Sequence, residues 1–347
     1  MLAMILKEFR ELRRDRRSMA MLIALPILFL IVFGYAANFT VSSIRTDVVG
    51  PGAQSVAARL AAPFDVRAVN PSGTAAGAQQ TLKDNDASVV IVTAPGIAPV
   101  AEIDGSDLFT AQAAVGALAH LVPPVAPRVL FNPGLKTSWV MVPAIAGLIL
   151  AFIGTIITSL GVVRERQAGT LEQLAVMPLR PNDVIIGKVA PYFALGAIDM
   201  VVVTLLGVWL FGVPFNGSPV TFGIGAVLFL LVVLGLGILI STVSENQGQA
   251  IQLAILVLLP QILLSGMIFP LAAMPWAIRW IGYLLPLTYF IKIARGVMIR
   301  GASVASLWPS FAVLAVMAPV VFGAAVLRFR RDVTPDVRRE PAPAPVP

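Results

Sequence analysis

The chain has 347 residues, 58% of them hydrophobic and only 12% charged, with a formal charge of +7 and a mean hydropathy of +0.88. Soluble domains are about 45–50% apolar and about 25% charged, so a solvated globular protein is excluded, and a disordered chain would be poor in these same apolar residues. The absence of cysteine excludes a disulfide framework, a thiolate metal site and a Cys nucleophile, and the single histidine, His120, leaves almost nothing for a zinc site or a His-based triad.

In chain order, residues 1–18 place Leu2, Ile5, Phe9 and Leu12 on one helical face with Lys7, Arg10, Arg13 and Arg14 elsewhere. This pattern predicts an amphipathic helix in the inner membrane interface; the alternative is a solvated basic tail that only sets topology. A first membrane span follows at 19–40. Small residues (Ala36, Ala37) behind a basic segment resemble a signal peptide, but the apolar stretch exceeds the about 7–15 residues of a signal core, so it reads as an uncleaved anchor. Residues 41–138 are long enough for a small domain. Strands are expected near Thr46–Val49, Phe64–Val69, Ser88–Val92 and Val100–Ile103, with helices near Ala53–Ala61, Thr74–Asn85 and Leu108–Leu121, a mixed α/β pattern. Asp104 and Asp107 suit a turn after a strand better than a catalytic pair.

A helix needs about 20 mostly apolar residues to cross the hydrocarbon core. Further spans are expected at 139–163, 190–212, 220–241, 248–268 and 306–327. In the second, Ala144, Gly147, Ala151, Gly154, Thr158 and Gly161 recur at spacings of three and four, a stripe of small residues on one face. Such stripes let membrane helices approach closely; this one could pack on a neighbour or slide as a cavity changes shape. Asp199 is the only acid near the middle of a span. A charge there costs roughly 2.5–3.5 kcal/mol on insertion scales, which makes it a candidate for a cavity wall. Gln247, Gln249, Gln252 and Gln261 run along the fifth span, either as interhelical glue or as polar contacts on a path.

Basic residues set the orientation. Segment 1–18 holds six, the connector 164–188 four and the tail 328–347 five, whereas 41–138 has six basic against seven acidic residues. Six spans put the three basic segments on one side, expected to be the cytoplasm with both termini, and 41–138 outside. A seventh span at 269–301 would break this rule. That stretch carries Arg279, Lys292, Arg295 and Arg300 and is cut by Pro270, Pro275 and Pro286. With six spans Trp139, Trp209, Trp276, Trp280 and Trp308 all sit at the outer interface, where tryptophan belongs. Residues 269–301 are therefore expected to be re-entrant, two short helices broken at Pro286 and covered by the bundle. The tail 328–347 ends in a Pro/Ala-rich stretch without folding potential.

The connector 164–189 contains RERQAGTLEQLAVMPLRPNDVIIGK (164–188). Thr170–Val176 is expected to form a short helix capped by Thr170 and stopped by Pro178 and Pro181, suited to docking on a cytoplasmic partner.

Four stretches together resemble the permease subunits of ABC-2-type exporters, in the subgroup with a large outside domain between spans one and two. KEFRELRRDRRS and LPILFLIVFGYA look like that subgroup's elbow helix and first span, with Glu8, Asp15, Pro26, Gly34 and Tyr35 in place. FNPGLKTSWVMVPAI (131–145) looks like its approach to span two, although Ala144 stands where many members have glycine. The connector matches at Glu165, Gly169, Thr170, Glu172, Pro178, Pro181, Gly187 and Lys188. LSGMIFPLAAMPWAIRWIGYLLPLTYFIKIARGVMIRG (264–301) resembles the family's re-entrant segment, with Gly266, Pro270, Pro275, Pro286, Arg295 and Gly301.

The expected fold is thus an all-α polytopic membrane protein with six transmembrane helices, an N-terminal elbow helix, re-entrant helices before the last span and an inserted small α/β extracytoplasmic domain. The resemblance implies a half-transporter in the cell membrane that dimerises with an identical or sister permease and pairs with an ABC ATPase subunit. Residues Glu165, Gly169, Thr170, Leu171, Glu172, Gln173, Pro178, Pro181 and Lys188 would couple to that ATPase. Asp199, Gln249, Gln252, Gln261, Gly147, Gly154 and Thr158 are the candidates for a cavity or gate.

The chain has no G-x-x-x-x-G-K-[ST], and Gly187-Lys188 lacks the upstream glycine loop, so no phosphate cradle of that kind is present. No catalytic residue, metal site or cofactor of its own is expected; ATP and Mg would be bound by the partner. Expected partners also include membrane lipids and a small hydrophobic or amphipathic substrate exported outward (a drug, lipid or natural product), but no nucleic acid. An ion-coupled secondary transporter predicts inverted repeats and intramembrane charge pairs, of which only Asp199 offers a trace. A ligand-binding membrane receptor would explain the outside domain but not the docking connector.

Overall fold

A computed structural model describes residues 41–122, 124–168 and 181–333, with isolated helical positions at Ala20, Pro26, Ile27, Leu30 and Gly34. The side chains of 181–186, 188 and 329–333 are not described. The helix expected at 1–18, most of the first span and the tail beyond Val333 lie outside the described residues.

The sheet domain comprises β1 (Ile44–Val49), α1 (Ala53–Ala57), β2 (Phe64–Asn70), α2 (Ala75–Asp84), β3 (Val89–Ala94), β4 (Ile97–Asp104), α3 (Leu108–Leu118) and β5 (Ala126–Leu130). The strand order is β2-β1-β3-β4-β5, parallel throughout except for the β3–β4 pair. That pair is a hairpin: Ala94 faces Ile97 across Pro95-Gly96, where the proline presets φ and Gly96 takes φ +72°. Central β3 is VVIVTA, apolar without alternation because it is covered on both faces. Thr74 caps α2 by accepting the Gly77 N–H at 3.2 Å, and Asp107 caps α3 by accepting the Thr110 N–H at 3.4 Å and its hydroxyl at 2.8 Å. The first four strands lie where the sequence places them. β5 is an addition, because Pro124 and Pro127 mask its pattern. Pro127 is admitted because β5 is an edge strand with no ladder bond to donate outward.

The membrane part comprises α4 (Thr137–Gln167), α5 (Pro181–Phe211), α6 (Pro219–Val243), α7 (Gln247–Leu264) and α10 (Val304–Val333). Five stretches among the described residues are long and apolar enough to cross a membrane, and they correspond to spans two to six. α6 is the centre of the bundle: 61% of its apolar stretch is buried, against 17% for span three and 22% for span six, whose outer faces (Leu195, Ile198, Leu205; Val316, Val320) are left for lipid. Phe229 of α6 stacks on Phe290 with centroids 4.7 Å apart. Span five is shorter than its sequence suggests, ending at Leu264 with irregular backbone beyond.

Between α7 and α10 lie a single 3₁₀ turn (Leu271–Ala273), α8 (Trp276–Gly282) and α9 (Pro286–Arg295), which runs on as a π turn over Gly296–Arg300. The two short helices match the expected break, but Pro286 opens α9 at its first position rather than interrupting a helix; there the missing N–H is harmless. The Thr288 hydroxyl donates to Gly282 O and the Tyr289 hydroxyl to Tyr283 O, each at 2.6 Å, closing the exposed carbonyls of α8.

Two arginines of this segment lock the parts together. Arg295 donates from Nε to Val140 O at 3.1 Å and from Nη1 to Gly266 O at 3.3 Å, joining spans two and five. Arg300 donates from Nη1 to Asp104 Oδ2 at 3.3 Å and Ser106 Oγ at 3.1 Å, tying the segment to the sheet domain. Asp104 Oδ1 meanwhile accepts the Ser106 N–H at 2.8 Å, so the expected turn role holds and the arginine is added to it. Asn216, between spans three and four, donates from N to Met298 O (2.9 Å) and from Nδ2 to Ile299 O (2.7 Å), satisfying carbonyls of the π turn. The sheet domain, the loop between spans three and four and the re-entrant segment therefore share one end of the bundle. All five tryptophans lie at that end. Removing one partner of a buried ion pair costs about 3–5 kcal/mol. Asp104→Ala is expected to destabilise the detergent-purified protein by about that amount in an unfolding titration; a loss under about 1 kcal/mol, typical of exposed pairs, would contradict the bracing role.

Candidate functional site

At the end opposite the sheet domain, the last turn of α4 carries Arg164, Glu165, Arg166 and Gln167. Arg166 Nη1 donates to Ser244 O at 3.1 Å, and Gln247 Nε2 donates to Gln167 Oε1 at 3.0 Å. These bonds hold the outlet of span two against the turn between spans four and five, so both connectors emerge side by side.

The connector itself is narrower than its sequence suggests. α4 continues to Gln167, and α5 starts at Pro181, nine residues before the expected span. From Pro181 onward the chain is helical. Lys188 is on that helical extension. Residues Gly169, Thr170, Leu171, Glu172, Gln173 and Pro178, and with them the expected helix Thr170–Val176, lie outside the described residues.

Of the fifth-span glutamines, Gln247 and Gln249 serve the local turn. Gln249 Oε1 accepts the Glu245 N–H at 3.0 Å, and its own N–H is capped by Asn246 Oδ1 at 2.9 Å. Deeper in the bundle the pattern changes. Gln252 Oε1, both side-chain polar atoms of Gln261, Thr158 Oγ1 and Asp199 Oδ2 are buried without a hydrogen-bond partner among the described residues. An unsatisfied polar group in a hydrocarbon environment costs several kcal/mol, so these atoms call for water, a substrate group or another chain. Gly147, Gly154 and Thr158 are in close contact inside the chain.

The small-residue stripe does not keep to one face. A π turn over Ile153–Ile157 interrupts α4. Its extra residue rotates the downstream half by about 100°, one residue's share of a 3.6-residue turn. A Cβ on Gly147 would lie 2.7 Å from Phe290 Cε1 of α9, and one on Gly154 would lie 2.6 Å from Val233 Cγ2 of α6. Below the turn, Gly161 packs against the Tyr192 hydroxyl of α5. Spacing alone cannot reveal the π turn, which changes the phase without changing the residue types.

None of the seven cavity or gate candidates lines the cavity of about 480 Å³ that opens at the other end, between the sheet domain and the re-entrant segment. Arg45, Ser265, Arg279 and Lys292 do. The basic residues of 269–301 are visible in the sequence; their convergence with a β1 arginine is not.

A bundle of apolar spans with a sheet domain and a broken helical pair at one end defines a multi-pass membrane protein. The chain belongs to the ABC-2 family transporter proteins, whose family model matches residues 16–327. It is 30% identical over 332 residues to the probable multidrug ABC transporter permease YbhS of Escherichia coli (strain K12), covering 86% of this chain and 88% of that one. To the probable multidrug ABC transporter permease YbhR of the same strain it is 28% identical over 360 residues, covering 95% and 98%. The match to ABC transporter G family member 20 of Dictyostelium discoideum, 29% over 192 residues, covers 55% of this chain and 26% of that larger protein. It is thus a transmembrane subunit of the ABC transporter class.

Gly237 of α6 rests on the π turn: a Cβ there would be 2.8 Å from Thr155 O and 2.9 Å from Gly154 O, and backbone cannot step aside. Gly237→Ala is expected to cost about 1–3 kcal/mol by overpacking, seen as a lowered thermal midpoint. Gly223→Ala, in the same helix with nothing within 4 Å, is expected to leave the midpoint unchanged or raise it slightly through helix propensity.

Proposed function

We propose that the chain is the permease subunit of an exporter that moves a hydrophobic or amphipathic small molecule outward, with ATP hydrolysed by a separate ABC ATPase subunit. The observation that carries this reading is the similarity, across 86% of the chain, to a protein named as a multidrug ABC transporter permease. On the distribution of basic residues, the connector 164–189 and both termini would face the cytoplasm and the sheet domain the outside. Two protomers would enclose the pathway between them, flanked by spans one, two and five.

In this mechanism, closure of the ATPase dimer pushes on the connector around Gly169–Met177. Arg166 and Gln167 pass the displacement to the turn between spans four and five, because they hold Ser244 and Gln247 directly. Span two moves against its glycine-lined contacts, and the polar atoms of Asp199, Gln252 and Gln261 become available to substrate or water as the pathway changes access.

Co-expression with the ATPase, followed by affinity purification, tests the coupling role. Wild type should retain the ATPase in stoichiometric amount, and Glu172→Ala or replacement of 169–177 should lose it; equal retention by both variants, or ion-driven transport by the isolated chain in liposomes, would refute the reading. For Asp199, the leucine variant should purify as well as wild type yet show a changed range of exported compounds in a resistance panel. An unaltered panel would remove Asp199 from the pathway.

A further inference from the structure

The cavity between the sheet domain and the re-entrant segment has a charge imbalance that structural pairing does not absorb. Its lining contains six cations, Arg45, Arg67, Arg279, Lys292, Arg295 and Arg300, and one carboxylate, Asp107. That carboxylate is engaged in capping α3. Asp104 reaches Arg300 and Asp65 reaches Arg67, the latter as an exposed pair at 3.3 Å. Among the described residues no carboxylate forms an ion pair with Arg45, Arg279, Lys292 or Arg295. Arg295 is occupied by backbone carbonyls, and Arg45 is oriented by Asn85, with Nη1 on its carbonyl at 2.7 Å and Nη2 on Oδ1 at 3.1 Å. Lys292 Nζ stands over the rings of Tyr283 and Tyr289 at 5.6 and 5.5 Å, which positions the ammonium without neutralising it.

Unused donors point to an absent anion. Ser265 Oγ is buried, its residue only 2% exposed, and has no hydrogen-bond partner among the described residues. The same holds for Arg279 Nε and for Arg300 Nε, the latter in a residue 8% exposed. All three residues line the cavity. Burial first, then the neighbouring Arg67 and Arg300, holds the Arg45 guanidinium below its ordinary pKa, with the carboxylates of Asp104 and Asp107 opposing the shift only in part. The rest of the wall is mixed: Leu108, Val140, Met141, Met267 and Ile291 give it apolar surface, beside hydroxyl groups such as those of Ser43, Ser88 and Thr137. A volume near 480 Å³ falls in the ordinary range for small-molecule sites, about 300–1,000 Å³.

We propose that this cavity is a binding site for a phosphate group, with Arg279, Lys292 and Arg45 supplying the charge and Ser265 a neutral donor. Guanidinium groups match a phosphate's oxygens in paired hydrogen bonds, and the apolar part of the wall suits the hydrocarbon next to a lipid phosphate. The site requires neither an ATPase partner nor a transport cycle, so it stands apart from the export reading. Because it spans β1, the end of span five and both re-entrant helices, an occupant would bridge the sheet domain to the bundle.

The test uses the full-length chain purified in detergent. Native mass spectrometry would measure binding of phosphatidylglycerol and of zwitterionic phosphatidylcholine, and a thermal shift would measure inorganic phosphate. Phosphatidylglycerol should bind more tightly than phosphatidylcholine, and Arg279→Gln and Lys292→Gln should each weaken it roughly ten-fold, the loss expected for one charge-assisted contact; Lys292→Arg should restore it. Inorganic phosphate that raises the wild-type midpoint but not that of the variants would assign the site to a free anion, whereas phosphatidylglycerol binding without that shift assigns it to a lipid headgroup. The two glutamine variants lie on different helices, so misfolding of one, judged by its elution profile, leaves the other to decide. Equal binding of the two lipids with no phosphate shift, or a folded variant indistinguishable from wild type toward both probes, overturns the proposal.

Discussion

The structure depends on two guanidinium groups that hold broken backbone in place. Wherever a helix is interrupted at membrane depth, freed carbonyls need donors that lipid cannot supply. Arg295 supplies them, to Val140, Gly266 and Met267, and Arg300, at the end of the same segment, ties it to the sheet domain through the side chains of Asp104 and Ser106. Arginine suits this position because it keeps its charge when buried and offers five donors in a fixed plane. The consequence is mechanical. Through these two side chains span two, the backbone after span five, the re-entrant segment and the sheet domain are joined at one end of the bundle.

The second organising element is the π turn in span two. By shifting the helical phase it directs one series of small residues toward three neighbours in turn: the re-entrant helix, span four and span three. Span two is thereby gripped closely along its length and, at its outlet, joined to the turn between spans four and five. A helix so placed is well suited to carry motion between the connector at one end and the braced segment at the other.

Fold class was largely readable from the residues. Apolar runs of adequate length, the distribution of basic residues and the tryptophans define the spans, because hydrophobic length and interfacial chemistry act locally. The first four strands and three helices of the inserted domain follow from alternation and from caps at Thr74 and Asp107. What escaped was local pattern altered by proline, β5 hidden behind Pro124 and Pro127, whereas the break before Pro286 was read correctly and the structure adds that this proline opens the second helix. The candidate site was less readable. Gln247 and Gln249 turned out to serve a turn, and Gln252 and Gln261, of the same residue type on the same helix, keep buried atoms without partners among the described residues.

The sequence by itself determined that this is a polytopic membrane protein, where most spans run, and that the basic residues of 269–301 require cover, since these depend on composition within a window of about 20 residues. Only the tertiary structure decided the rest. It set Arg300 on Asp104, brought Arg45 from β1 to face Lys292 and Arg279, and turned the small-residue stripe through three neighbours. Those outcomes depend on contacts between residues up to about 200 positions apart (Arg300 and Asp104 are separated by 196) and on one extra residue in a helical turn, neither of which leaves a periodic trace along the chain.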